Sequence, residues 1–147
     1  MLRICCTLFA LTVLAAPAVA VGQTAEVKVT VVFPATLDSF DGRSVKVILD
    51  QSVPPKPGDK PGVTVSVPVD TQQVDNVSHV KGTESKQEVV VGSKVKLDPS
   101  LKYMVIAQVW ADGKSKGPAT AQGKPFVSVL TGGAPSEVTM TVMHLAK

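Results

Sequence analysis

Side chains that could carry out acid–base or nucleophilic chemistry are few in this chain of 147 residues. It contains two histidines, His79 and His144, and two cysteines, Cys5 and Cys6. Nucleophilic catalysis needs a base beside the nucleophile and a third group that orients the base. The sequence has no G-x-S-x-G motif of the kind that presents a catalytic serine. We therefore expect both histidines to be structural or solvated. We predict that the protein has no catalytic residue and is not an enzyme.

Metal ligands are equally sparse. Zinc sites use clustered cysteines and histidines, and both cysteines lie at the extreme N-terminus. Calcium sites need a dense acidic loop, whereas the segment TLDSFDGR offers only Asp38 and Asp41. Asp41-Gly42 is instead a strong turn dipeptide. The sequence therefore predicts no metal and no other cofactor.

The first twenty residues, MLRICCTLFALTVLAAPAVA, have the three-part layout of a secretory signal peptide. Arg3 precedes a short apolar run, and Ala18 and Ala20 occupy the positions of an A-x-A cleavage site. Cleavage after Ala20 is the first choice, cleavage near Gly22 is an alternative, and an uncleaved anchor is the competing interpretation. The pattern predicts export to the periplasm or the extracellular space.

The remaining chain, residues 21–147, has the size of one domain. Cys5 and Cys6 fall inside the predicted signal peptide and before its apolar run, so we expect neither a disulfide nor a lipid anchor. Without Arg3, 14 basic residues face 12 acidic ones, and the lysines are spread along the chain. This charge pattern favours neither nucleic acid nor an anionic membrane surface as a partner. No further apolar run is long enough to span a bilayer.

Alternation of apolar and polar residues dominates this domain. It recurs in AEVKVTVVF, RSVKVILDQ, GVTVSVPV, YMVIAQVWA and SEVTMTVMHL. Val- and Thr-rich alternation is typical of half-buried antiparallel strands. We therefore predict an all-β domain, a single immunoglobulin- or transthyretin-like antiparallel β-sandwich of about seven or eight strands. Pro68 indicates an edge strand, because proline cannot donate to the ladder.

Turn residues divide the predicted strands. The Pro-rich segment 52–62 is interpreted as a loop inserted within the domain, and Asp112-Gly113 as the tip of a hairpin. KPFVSVLTGGAPSEVTMTV predicts a strand, a turn and a strand. Gly132 and Gly133 would supply the positive φ angles of that last turn.

The segment YMVIAQVWA has two apolar faces. Tyr103, Val105, Ala107, Val109 and Ala111 would share one face, and the other would carry Met104, Ile106, Gln108 and Trp110. Such a strand is either covered on both sides or keeps one face for a partner. Trp and Met are enriched at protein interfaces. We predict a protein-binding face formed by Met104, Ile106 and Trp110.

Two longer runs, KLDPSLKYMVIAQVWADGKSK and KPFVSVLTGGAPSEVTMTVMHL, resemble the C-terminal half of the YbaY/YscW-type envelope proteins. The shared features are a D-P-x-x-x-Y motif (Asp98, Pro99, Tyr103), a strand ending in a D-G hairpin, and the VLTGGAPSEV turn. The family consists of small bacterial β-sandwich domains, often lipoproteins, and includes pilotins of type III secretion systems. The chain departs from it in lacking a lipid-acceptor cysteine at the cleavage site.

The resemblance implies an exported, non-enzymatic β-sandwich of the bacterial cell envelope that binds or stabilises another envelope protein. The means would be edge-strand pairing or docking on an apolar sheet face. The alternative is a sandwich that binds carbohydrate or another small ligand, although the chain is poor in the aromatic residues on which sugars stack. A hydrolase is the third hypothesis, and it has no motif in its favour.

Overall fold

A computed structural model of the chain describes residues 22–54 and 65–146, and all regular secondary structure in these ranges is β-strand. The predicted signal peptide and most of the Pro-rich segment lie outside the described residues. Ser52 and Val53, placed by the sequence in the Pro-rich loop, belong to a strand. The eight described strands are β1 (Val27–Phe33), β2 (Phe40–Val53), β3 (Val65–His79), β4 (Ser85–Val91), β5 (Tyr103–Ala111), β6 (Lys114–Thr120), β7 (Val127–Val129) and β8 (Glu137–Val142).

The strands form one nearly closed, barrel-like sheet with the order β3-β2-β5-β6-β8-β1-β4, and β7 pairs with β5. The prediction of an all-β domain with seven or eight strands is confirmed. The separation into two sandwich layers is less clear than predicted, because β6 pairs with both β5 and β8 and so joins the two halves. The sheet is also not purely antiparallel, since β1 and β8 run parallel.

Alternate residues of most strands point into one hydrophobic core, as the period-two pattern predicts. β3 is the exception, because its first half lies on the surface and Val65 and Val67 are exposed. Burial of each valine contributes roughly 1.5 to 3 kcal/mol. The largest fully buried side chains are Tyr103, Phe33, Leu49, Met140, Val27, Val29, Val31, Val45, Val47, Val91, Val105 and Val109.

The two Asp-Gly dipeptides have different outcomes. Asp112 and Gly113, with φ angles of 52° and 69°, form the predicted two-residue hairpin tip between β5 and β6. Asp41-Gly42 lies inside β2 and does not join two strands. Gly42 has a φ of 62°, its N–H donates to the Asp41 carboxylate at 2.9 Å, and the register with β3 shifts between Phe40 and Arg43. This dipeptide therefore forms a β-bulge.

The turn of the predicted last hairpin forms, but its two strands do not pair with each other. The Leu130 N–H donates to the Pro135 carbonyl at 3.1 Å, and Gly132 and Gly133 have the predicted positive φ angles. Beyond that bond, β7 pairs with β5, whereas β8 pairs with β1 and β6, so the two strands are not ladder partners. Pairing with different neighbours draws the two legs of the hairpin apart.

The residues of the D-P-x-x-x-Y motif hold the loop before β5 in place. The hydroxyl of buried Tyr103 accepts a hydrogen bond from the Asp98 N–H at 3.0 Å and so anchors the loop before β5. The Asp98 carboxylate accepts from the hydroxyl and the N–H of Ser100, which lowers its pKa. β3 is an end strand of the sheet order, as Pro68 predicts.

Candidate functional site

The outer face of β5 carries the three residues predicted to bind a protein. Met104, Ile106 and Trp110 are each half-buried, whereas Tyr103, Val105, Ala107 and Val109 are buried in the core. Side chains of β2 flank them in an antiparallel register. We call Met104, Ile106, Trp110 and their neighbour Ile48 the outer strip.

Trp110 is held by two polar neighbours. Its indole N–H donates to the side-chain amide oxygen of Gln108 at 3.1 Å, and the Lys46 ammonium lies 4.9 Å from the ring centroid. A cation–π contact of this kind at an exposed site contributes about 0.5 to 1 kcal/mol. The ring is therefore oriented on the sheet while part of its surface stays accessible.

The opposite end of the outer strip combines apolar and polar contacts. Ile106 lies directly opposite Ile48 on β2, and Met104 lies opposite Asp50. The Ser66 hydroxyl donates to the Met104 sulfur at 3.8 Å. Burial beside these side chains raises the pKa of Asp50 above its ordinary value. A carboxylate and an ammonium thus border an apolar centre, a composition common at protein interfaces.

The two histidines lie away from this face. His79 is 2% exposed and packs against the rings of Phe33 and Phe40, and its Nδ1 lies 2.9 Å from the Ser85 hydroxyl. His144 is exposed, close to the C-terminal end of the described chain. Within residues 22–54 and 65–146, no three His, Cys, Asp or Glu side chains form a cluster that could hold a metal ion.

Two of the surface depressions correspond to no motif in the sequence. One, of about 330 Å³, lies between residues 36–39 and the C-terminal segment and includes Arg43. The Nη1 atom of Arg43 is buried with no hydrogen-bond partner among the described residues, and the guanidinium carbon lies 5.1 Å from the Phe40 ring centroid. The other, of about 400 Å³, lies between β7 and β8. Each is assembled from segments distant in sequence, so neither gives a local motif.

A search for membrane-spanning helices among the described residues returns none that is both long and apolar enough. No protein-family model matches the chain, and the comparison with curated proteins gives no significant match. The fold is similar to that of an alternative pilotin from the type II secretion system of Vibrio cholerae. The two share 19% sequence identity and superpose with a TM-score of 0.54, over 85% of this chain and 99% of the pilotin chain. The chain therefore has a pilotin-like fold.

Proposed function

We propose that this protein is an exported, non-enzymatic component of the bacterial cell envelope that binds or stabilises another envelope protein. The observation that carries the proposal is the outer strip. It places half-buried Ile48, Met104, Ile106 and Trp110 on the outer face of β2 and β5, with Asp50 opposite Met104 and with Lys46 between Ile48 and Trp110. Trp110 lies at one end of the strip beside Lys46, and tryptophan is among the residue types that contribute most to the binding energy of protein interfaces.

The structural similarity to a pilotin also supports a role in binding an envelope protein. The Vibrio cholerae protein with this fold is a pilotin of a secretion system. The YbaY/YscW resemblance in the sequence points to the same kind of envelope helper. We infer that the partner of this chain is a component of the envelope or of a secretion apparatus.

Affinity capture from an envelope extract tests the proposal. Trp110→Ala should remove one protein captured by the wild type, with a loss of affinity of about 30-fold, because an interface tryptophan contributes about 2 kcal/mol or more. The matched control is Val90→Ala. Val90 is 45% exposed on β4, outside the outer strip, so this change removes apolar surface elsewhere and should leave capture unchanged.

Circular dichroism and thermal unfolding must show that both variants fold. If Trp110→Ala is folded and still captures the same protein, the outer strip is not the interface. If neither the wild type nor the variants capture a protein, and the wild type binds glycans on an array, the carbohydrate-binding alternative replaces the proposal.

A further inference from the structure

The space between β7 and β8 is lined by two strand edges that have no neighbouring strand among the described residues. The strand beside β5 is interrupted, since β6 pairs with β5 up to Pro118 and β7 takes over at Val127. In between, the chain leaves β5, and Ala119 and Thr120 pair with the end of β8. The first part of β8 has no partner on this side within residues 22–54 and 65–146. We call the space between β7 and this part of β8 the β7/β8 groove.

The register shows which backbone groups of β8 face the groove. The Lys28 N–H of β1 donates to the Ser136 carbonyl at 2.9 Å, and Lys28 is the partner of Glu137. In a parallel ladder, alternate residues direct their N–H and C=O groups to opposite sides. Val138 therefore bonds to β1, whereas Glu137 and Thr139 direct their N–H and C=O groups away from β1.

The same reasoning applies to β7. The Ser52 N–H of β2 donates to the Lys102 carbonyl, so the odd-numbered Tyr103 and Val105 direct their backbone groups to β7. Their partners Val129 and Val127 face β5 in return. Ser128, which lies between them, directs its N–H and C=O into the groove from the wall opposite Thr139.

The side chains of the groove suit a peptide. Ser128, Thr139 and Thr141 are small and do not fill it, and Phe126, which is 44% exposed, offers an apolar surface at its side. Lys124 also lines the groove and forms no ion pair with a described residue. Unpaired donors and acceptors in an extended row are satisfied best by another strand.

We propose that the β7/β8 groove binds an extended segment of a partner protein by β-augmentation. The segment pairs with the backbone of Glu137 and Thr139 on one wall and of Ser128 on the other, and an acidic side chain of the segment lies near Lys124. This inference rests on the proposed function, since it gives the envelope partner a second means of attachment besides the outer strip. It predicts that recognition depends on main-chain hydrogen bonds more than on the hydroxyl groups of the groove.

The test uses a panel of ten-residue peptides in which Val, Ile and Thr alternate, with one Asp or one Lys at either end. Binding to the purified protein is measured by fluorescence anisotropy. Thr139→Pro removes the N–H that faces the groove and leaves the bonds of Val138 to β1 in place. We expect a loss of affinity of at least tenfold. Thr139→Val is the matched control, because it keeps the N–H and removes only the hydroxyl; its affinity should change less than twofold.

The charge of Lys124 gives a second readout. Asp-bearing peptides should bind more tightly than Lys-bearing ones, and Lys124→Glu should reverse that order. If Thr139→Pro does not fold, Ser128→Pro replaces it, since that change blocks the other wall without removing a bond to β5.

Three results would overturn the proposal. One is that no peptide of the panel binds, and another is that binding survives both proline variants. The third is that sugars on a glycan array bind instead and Thr139→Val abolishes their binding, which would assign the groove to a carbohydrate. Capture of an envelope protein that depends on Trp110 but not on Thr139 would leave the proposed function intact and reject the groove.

Discussion

Among the consecutive strands that do not pair through their backbones, β3 with β4 and β7 with β8 form an instructive contrast. In the first pair, side chains close the gap at both ends. The Asp70 carboxylate accepts from the Gly92 N–H at 2.6 Å, and the His79 ring lies 2.9 Å from the Ser85 hydroxyl. In the second pair, the legs separate after the bond between Leu130 and Pro135.

The first pair is held together by side chains, and we call its two bridges, Asp70–Gly92 and His79–Ser85, the β3/β4 seam. The second pair leaves a surface that can accept a partner. Polar bridges between β3 and β4 satisfy groups that would otherwise be left without partners as the sheet ends meet. Between β7 and β8, the backbone groups of Ser128 and Thr139 face a groove. Mutations between β3 and β4 should therefore lower the free energy of unfolding, whereas mutations between β7 and β8 should lower the affinity for a partner.

The largest expected effect is at Gly92, where β4 ends. This residue has a φ of +78°, and a Cβ there would overlap the carbonyl oxygen of Ala25. Gly92→Ala combines backbone strain with a clash against main-chain atoms, so it should lower the free energy of unfolding by about 4 kcal/mol or more. Urea denaturation of the purified variant measures this loss.

The control for Gly92 is Gly133→Ala in the turn between β7 and β8. Gly133 has a φ of +77° but open space around its Cβ position. Strain alone should cost about 1 kcal/mol there. Equal losses at the two positions would show that the close approach of Gly92 to Ala25 has no energetic weight.

An intermediate effect is expected at the other end of the seam. His79→Ala empties a buried site beside Phe33 and Phe40 and removes the contact with Ser85, so it should destabilise the protein by about 3 kcal/mol. His79→Phe keeps the ring packing and eliminates the His79 Nε2 atom, which is buried and has no hydrogen-bond partner in the described part of the chain. That variant should stay within about 1 kcal/mol of the wild type. A large loss in His79→Phe would mean that the bond to Ser85, and not packing, holds this end closed.

The smallest of the three effects is expected for Asp70→Ala. The change removes a charged acceptor and leaves the N–H of buried Gly92 without its partner, so it should cost about 1 to 2 kcal/mol. Thermal unfolding measures it against Asp75→Ala as control. Asp75 is an exposed carboxylate of the same strand whose bonds go to Ser44 and Gln73 within the β2–β3 pair. An Asp70→Ala loss no larger than that of the control would show that the seam does not need this bridge.

Much of the fold was predictable from local patterns. Period-two alternation located most strands and core-facing residues such as Tyr103 and Val105, because burial on one side of a strand acts on every second residue. It gave no core face in the first half of β3, where Val65 and Val67 are exposed. Asp112-Gly113 was predictable as a hairpin tip because the positive φ angles of a two-residue turn suit these residue types.

The pairing of strands was less predictable, because it depends on neighbours far away in the sequence. GGAPS contains good turn residues, and the turn forms, but β8 pairs with β1 and not with β7. The parallel β1–β8 ladder and the closure by β6 leave no local signature. The β7/β8 groove results from those long-range pairings, so no sequence motif predicts it. The outer strip, in contrast, could be predicted from the alternation around Trp110.

Backbone amide hydrogen exchange, measured residue by residue by NMR, tests the contrast between the two pairs of strands most directly. In the protein without peptide, the amides of Ser128 and Thr139 should exchange about 100-fold faster than those of Val129 and Val138, which bond to β5 and β1. The Gly92 amide, bonded to Asp70, should be protected. Slow exchange at both Ser128 and Thr139 would mean that the groove is already closed in the free protein, and would contradict the account.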